Sequence, residues 1–214
     1  KQLISLGASV AYGQKAENIT DDIDYVIYSS AYNPESNPDL AAAKKKGIPM
    51  MEYTVALGAF SSACNSGGIA GVHGKTTTTA LTGTLLRALG APASILAGSA
   101  VANFGNSSTY VNGSDYFVAE TCEYKRHFMS FCPKRIIITS IEPDHLDFYP
   151  TYKDIFNAFY DYAMLLPNGG ELIYCADDKG CCELKDIICN NELKLKIADE
   201  SKNLQNNYEN IIQV

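Results

Sequence analysis

One segment constrains this chain more than any other: Gly71-Val72-His73-Gly74-Lys75-Thr76-Thr77-Thr78-Thr79, which follows a short apolar stretch and opens directly into a helical pattern. Glycine turns let successive backbone N–H groups point inward around a phosphate, and the helix N-terminus adds partial positive charge. Lys75 can then reach the β- and γ-phosphates of a nucleotide, and the Thr76 hydroxyl can ligate Mg²⁺. The segment therefore demands a strand–loop–helix unit and points to a nucleoside triphosphate. It departs from the broad Gly-x-x-x-x-Gly-Lys-[Ser/Thr] pattern, because Ile69 stands where the first glycine would be. Behind the loop, Leu81, Leu85, Leu86 and Leu89 space a helical apolar face that closes at Gly90.

The rest of the chain alternates strand and helix patterns, which predicts an α/β fold with a mostly parallel sheet. Strands are expected at residues 25–28, 48–51, 94–97, 116–119, 135–139, 172–175 and 193–197. Asn37-Pro38-Asp39 supplies an N-cap, a first-turn proline and an acidic first turn for a helix that ends in three lysines and Gly47. Further helices are expected at 52–60 and 176–188, and from Thr151, where Asp154 completes a capping-box pattern ahead of Ile155, Phe159, Tyr162 and Leu166. The polar stretch 61–68 is the expected linker, and a candidate hinge, between two domains spanning 1–62 and 66–214.

Bulk properties exclude several classes. With 214 residues the chain can bury a substantial core. A net charge of −7 opposes general nucleic-acid binding, which needs a basic footprint. No apolar run approaches the roughly 18–20 residues needed to cross a bilayer, and residues 1–5 lack a signal-peptide layout. Seven cysteines, without a C-x-x-C pair, fit reduced thiols better than a disulfide framework or structural zinc.

Ligands of open α/β sheets gather at the carboxyl ends of the strands. There the chain offers Lys75 and Thr76 of the loop, Glu120 with Glu123 three residues on, and Asp144-His145-Leu146-Asp147. Magnesium takes one or two carboxylates with phosphate and water oxygens, which Glu120 and Thr76 could supply. Glu120 could equally be a strand-end carboxylate bonded to loop amides, and Asp144-His145-x-Asp147 a turn with a cap. His73 could pack or support a phosphate through water. His127, beside Lys125 and Arg126, reads as a solvated basic patch, and Cys122 as packing. No G-x-S-x-G elbow supports a serine hydrolase.

These residues match something specific. Ala70-Gly71-Val72-His73-Gly74-Lys75-Thr76-Thr77-Thr78-Thr79 resembles the A-G-T-H-G-K-T-T-T-T signature of Mur ligases, ATP-dependent peptidoglycan amino-acid ligases, which also carry an aliphatic residue at the position of Ile69. Ala119-Glu120-Thr121-Cys122-Glu123-Tyr124 resembles that family's A-E-A-C-E-Y motif. Thr139-Ser140-Ile141-Glu142-Pro143-Asp144-His145-Leu146-Asp147 resembles T-N-I-E-x-D-H-x-D, and the 25-residue step from Glu120 to His145 also agrees. Val26-Ile27-Tyr28-Ser29-Ser30-Ala31, Asn37-Pro38 and Gly47-Ile48-Pro49 look like the later half of the family's UDP-sugar domain. Val72 replaces the usual Thr and Ser140 the usual Asn, which leaves an adenine-side contact at Ser140 open.

The resemblance implies a partial Rossmann-like N-terminal domain followed by the P-loop ATPase domain of Mur ligases, lacking the start of the first and the family's C-terminal domain. It implies ATP and Mg²⁺ as cofactors, with Gly71, Val72, His73, Gly74, Lys75, Thr76 and Thr77 on the nucleotide. Lys75, Glu120 and His145 would be catalytic, Thr76, Glu120 and His145 metal ligands, and Ser29 and Ser30 sugar-nucleotide contacts. The branch it most resembles joins L-alanine to UDP-N-acetylmuramate in the cytoplasm, and these 214 residues alone are expected to be inactive. The alternatives are a recycling branch that adds a tripeptide to the same sugar, and a non-catalytic nucleotide-binding module. Neither nucleic acid nor membrane is an expected partner, and oligomeric state is not encoded.

Overall fold

The computed structural model describes residues 2–190 and 211–213. The chain forms two compact units that divide between Ala56 and Leu57.

In the first unit a short helix, α1 (Gln2–Ser5), precedes strand β1 (Val26–Tyr28), which pairs in parallel with β2 (Met50–Glu52) through helix α2 (Pro38–Lys46). The local chemistry of α2 is the expected one. The Asn37 side chain accepts from Leu40 N at 3.1 Å, Pro38 occupies the first turn, and Gly47 closes the helix at φ 70°. Lys46 reaches back to Ile19 O and Asp21. The chain leaves this unit within helix α3 (Tyr53–Ser62).

The second unit is built on a seven-stranded sheet. Its strands are β3 (Asn65–Ala70), β4 (Ala93–Val101), β5 (Ser107–Val111), β6 (Tyr116–Glu120), β7 (Arg135–Ile138), β8 (Glu171–Tyr174) and β9 (Ile211–Gln213), in the spatial order β5-β4-β6-β3-β7-β8-β9. All pairings are parallel except β4 with β5. The helices are α4 (Lys75–Ala88), α5 (Tyr152–Ala163) and α6 (Lys179–Asn190). Alternation along the strands sends side chains into two cores. Phe117, Ala119, Ile136 and Ile138 join Ile155, Phe159 and Tyr162 of α5 on one face. Val118 and Ile137 join Ile69, Ile95, Phe104 and Leu86 of α4 on the other. This two-sided burial is what parallel strands require.

Two expectations need correction, and two strands were not expected. The polar stretch 61–68 is no linker: it supplies the last turn of α3 and the first half of β3. Ser61 and Ser66 are fully buried there, because their hydroxyls are satisfied by Gly58 O, Cys132 N and Cys132 O. The leucine face of α4 points away from the sheet, with Leu81, Leu85 and Leu89 exposed by 62%, 65% and 77%. The helix instead meets the sheet through small positions, buried Thr79 and Gly83 with Leu86 following at helical spacing. The edge strand β5 was not anticipated; it returns antiparallel through a turn carrying Gly105 and Asn106 at positive φ. The terminal strand β9 was not expected either, whereas the strand expected at 193–197 lies outside the described residues.

Candidate phosphate and metal site

Strand β3 occupies the middle of the sheet between β6 and β7, with Ile69 opposite Glu120 and Ala70 opposite Ile138. The carboxyl ends of all three strands therefore share one edge, and the chain after β3 turns there through Gly71–Gly74 into α4. Gly71 has φ 135°, and a Cβ at that position would collide with Thr139 Oγ1. Only glycine fits this approach. Gly74, at φ 83°, is the N-cap of α4 and offers no side-chain cap of its own. The first-turn amides of α4 are thus left for another acceptor.

The loop is stitched to the residues after β7. Ser140 O accepts from Val72 N at 3.1 Å, and Ser140 Oγ accepts from His73 N at 2.9 Å. The Thr139 hydroxyl faces both Ala70 O and His73 O. Ser140, whose replacement of Asn left a nucleotide contact open, thus has a clear part in holding the loop. Val72 is buried and belongs to the larger core, while His73 and Thr77 are exposed.

Two carboxylates flank the loop differently. Glu120, at the end of β6, accepts from Thr76 Oγ1 at 2.8 Å and from Gly98 N at 2.7 Å. Glu123 is 1% exposed, and both its oxygens meet Lys75 Nζ, at 3.0 and 3.1 Å. Lys75, 14% exposed, also donates to Gly71 O. His145 Nε2 lies 3.2 Å from Glu123 Oε1. The ligand atoms of Glu123, Asp144 and His145 fall within 4.8 Å of one another, a spacing compatible with one cation. The Tyr149 hydroxyl donates to Glu123 O, which fixes the backbone behind the carboxylate.

The site therefore falls into two groups beside the loop, Thr76 with Glu120 and Lys75 with His145, and the acidic partner of both Lys75 and His145 is Glu123. The sequence places Glu123 three residues after Glu120, inside the same motif, but gives no sign that it is buried. Its burial depends on a turn in which Lys125 and Arg126 both adopt left-handed φ, at 51° and 59°, and no local pattern announces such a pair. That turn also revises the basic patch: Arg126 pairs with Asp161 at 2.6 Å, and Lys125 Nζ stands 5.4 Å over the Tyr124 ring. The Cys122 thiol is held above its ordinary pKa, chiefly by desolvation with Glu123 and Glu120 adding to it, so it stays protonated. Ser29 and Ser30 lie in the exposed turn after β1, where Ser29 Oγ accepts from Ala31 N.

Comparison with protein families gives two matches in series. Residues 1–64 match the Mur ligase family, catalytic domain, and residues 69–213 match the Mur ligase middle domain. The chain belongs to the Mur ligase family. These are ATP-dependent ligases that form amide bonds. Among curated relatives, the UDP-N-acetylmuramate–L-alanine ligase of Treponema pallidum (strain Nichols) is 48% identical over 185 residues, covering 86% of this chain and 38% of that protein. The enzyme of the same name from Clostridium novyi (strain NT) is 40% identical over 192 residues, covering 89% and 41%. The chain thus spans about two fifths of the length of these relatives. Among solved structures, the UDP-N-acetylmuramate-alanine ligase of Thermotoga maritima superposes with a TM-score of 0.70 at 24% identity, over 85% of this chain and 42% of that one. The UDP-N-acetylmuramate:L-alanyl-gamma-D-glutamyl-meso-diaminopimelate ligase of Neisseria meningitides gives a TM-score of 0.73 at 24% identity, over 86% and 62%. The Mur ligase fold, α/β with a mostly parallel sheet, is therefore shared with both. Among the described residues no helix is long and apolar enough to cross a membrane.

Proposed function

We propose that the whole protein carrying this chain joins L-alanine to the carboxylate of UDP-N-acetylmuramate at the expense of ATP, as a step of cytoplasmic peptidoglycan precursor synthesis. In this reading residues 66–214 handle ATP, and residues 1–62 form the later half of the sugar-nucleotide domain, with Ser29 and Ser30 as contacts. The observation that carries it is the Lys75–Glu123–His145 network beside the glycine loop, in a chain 48% identical to a relative named for this reaction. Seven free cysteines fit a reducing compartment.

The chemistry follows from the groups present. The sugar carboxylate attacks the γ-phosphoryl of ATP, which breaks its bond to the β,γ-bridging oxygen, releases ADP and gives an acyl phosphate; the alanine amine then attacks the acyl carbon, loses a proton and expels phosphate to form the amide. Catalysis of phosphoryl transfer is largely positioning and charge stabilisation. The loop amides and the N-terminus of α4 hold the phosphates, and Lys75 neutralises charge on the transferred group. Lys75 is already cradled by Gly71 O and Glu123, so its ammonium is poised at the loop rather than in solvent. When it turns to phosphate, Glu123 keeps His145 as a partner.

The donor set fits magnesium on one side of the loop: the Thr76 hydroxyl and Glu120 carboxylate are hard oxygens already in mutual contact. His145, with Glu120 or Glu123, would hold a second ion. Bound there, Mg²⁺ would offset the negative charge that separates the sugar carboxylate from the γ-phosphate. His145 and Glu123 would fix the orientation of that side.

The test is ADP formation by the natural full-length protein with Mg-ATP and UDP-N-acetylmuramate, offering L-alanine and the L-Ala-γ-D-Glu-meso-diaminopimelate tripeptide in separate assays. Turnover with L-alanine is expected. Turnover with the tripeptide alone would move the enzyme to recycling, and nucleotide binding without turnover on either would make it a binding module. For these 214 residues alone, Mg-ATP binding without ligation is expected by calorimetry, and measurable ligation would contradict that.

A further inference from the structure

Around His145 the segments 123–130 and 144–149 exchange tyrosines. Tyr149 of the second donates its hydroxyl to Glu123 O of the first. Tyr124 of the first donates its hydroxyl to Asp147 Oδ2 of the second at 2.8 Å. The Tyr124 ring lies against the His145 imidazole, with centroids 4.7 Å apart and planes tilted by 42°, and also touches Phe148. His145 adopts a left-handed φ of 50°, a conformation that a histidine keeps only when its surroundings hold it. Its Nε2 is fixed by Glu123 and its own N–H by Asp144 Oδ1. Those bonds pin one ring edge and the backbone. They leave rotation about the ring's attachment open on the side that Tyr124 covers.

We infer that Tyr124 is a positioning residue for His145: its ring is the shelf that sets the imidazole plane. Partners of this kind orient metal-binding imidazoles and are worth about 10–100-fold in metal affinity. The assignment of a metal to His145 rests on the function proposed above; the orientation of the ring does not.

The test separates the two. The sequence holds three histidines, so each Hε1 resonance of the labelled chain can be assigned with His73→Gln and His127→Gln. Without metal, the His145 resonance is expected to be displaced by the Tyr124 ring current, to return toward its random-coil position in Tyr124→Ala, and to stay displaced in Tyr124→Phe. With Mn²⁺ and ATP, broadening of His145 reports the ion. Tyr124→Ala is expected to raise the Mn²⁺ dissociation constant about tenfold, and Tyr124→Phe to restore most of the loss. A His145 resonance and Mn²⁺ affinity unchanged in Tyr124→Ala would overturn the inference. So would a loss in Tyr124→Phe as deep as in Tyr124→Ala. Absence of broadening in the parent chain would instead refute the metal assignment, leaving the metal-free spectra to decide the role of Tyr124.

Discussion

Glu120 and Glu123 stand three residues apart at the end of one strand, yet they live in different chemical worlds. Among the described residues, Glu120 accepts from neutral donors, the Thr76 hydroxyl and the Gly98 amide. Glu123 is buried and bonded to a lysine and a histidine. A carboxylate with neutral partners carries uncompensated charge, so a cation can be added beside it. A buried carboxylate already paired is held because losing its counterion is costly. The difference teaches that two acidic residues of one motif divide the labour: one recruits charge, the other stores it.

The largest effect expected is that of Lys75→Ala. Ligase turnover of the full-length protein should fall on the order of 10³-fold, the scale of a lost transition-state donor. The same change leaves Glu123 with His145 alone, and should cost about 3 kcal/mol of stability, read by urea denaturation of the chain. Retained turnover would remove Lys75 from the chemistry.

The sharpest contrast is between the two glutamines. Glu123→Gln should lower stability by about 3 kcal/mol, because it leaves a partly buried lysine without its anion. Glu120→Gln keeps an oxygen for Thr76 and Gly98, so it should change stability by less than about 1 kcal/mol. It should nevertheless weaken Mg-ATP binding at least about tenfold, read by calorimetry. Equal stability losses in the two variants would erase the distinction.

Gly98→Ala probes the Glu120 side without touching its charge. A Cβ there would sit 2.5 Å from Glu120 Oε2, so the carboxylate must shift. Mg-ATP affinity should fall several-fold, up to about tenfold, while the melting temperature of the variant stays near that of the parent chain. A melting temperature lowered as far as in Glu123→Gln would mean that the two sides are one structure.

The smallest effect is expected on α4. Leu85→Lys should change stability by no more than about 0.5 kcal/mol, because the side chain is exposed. A loss near ~3 kcal/mol, typical of a buried leucine, would restore the face that the leucine spacing first indicated.

That last case marks what the sequence makes legible. The α2 cap, the capping box of α5 and the glycine loop are local devices, each contained within a few residues, and they appear where their chemistry puts them. The apolar runs of β6 and β7 are equally plain, because both faces of a central strand are buried. The orientation of α4 is a property of the sheet beneath it: a helix crossing closely over β4 and β6 favours Thr79 and Gly83 there, and the leucines turn outward. Within the site, Lys75, Thr76, Glu120 and His145 follow from motif and strand end. Glu123 shares the motif of Glu120, but its burial is not legible there, since it is made by two consecutive left-handed residues and by the hydroxyl of Tyr149, which is 26 residues away in sequence.

Ser140 carries a consequence for what the loop will accept. With its hydroxyl already on the His73 amide, that donor is engaged, and a newcomer must displace an existing bond before it gains one. A neutral oxygen would exchange like for like and gain little. A phosphate oxygen forms a charge-assisted bond roughly twice as strong. At this one donor there is therefore an entry threshold: an anion would cross it, whereas sugars, alcohols and water would have no advantage over the serine, while the first-turn amides of α4 stay open.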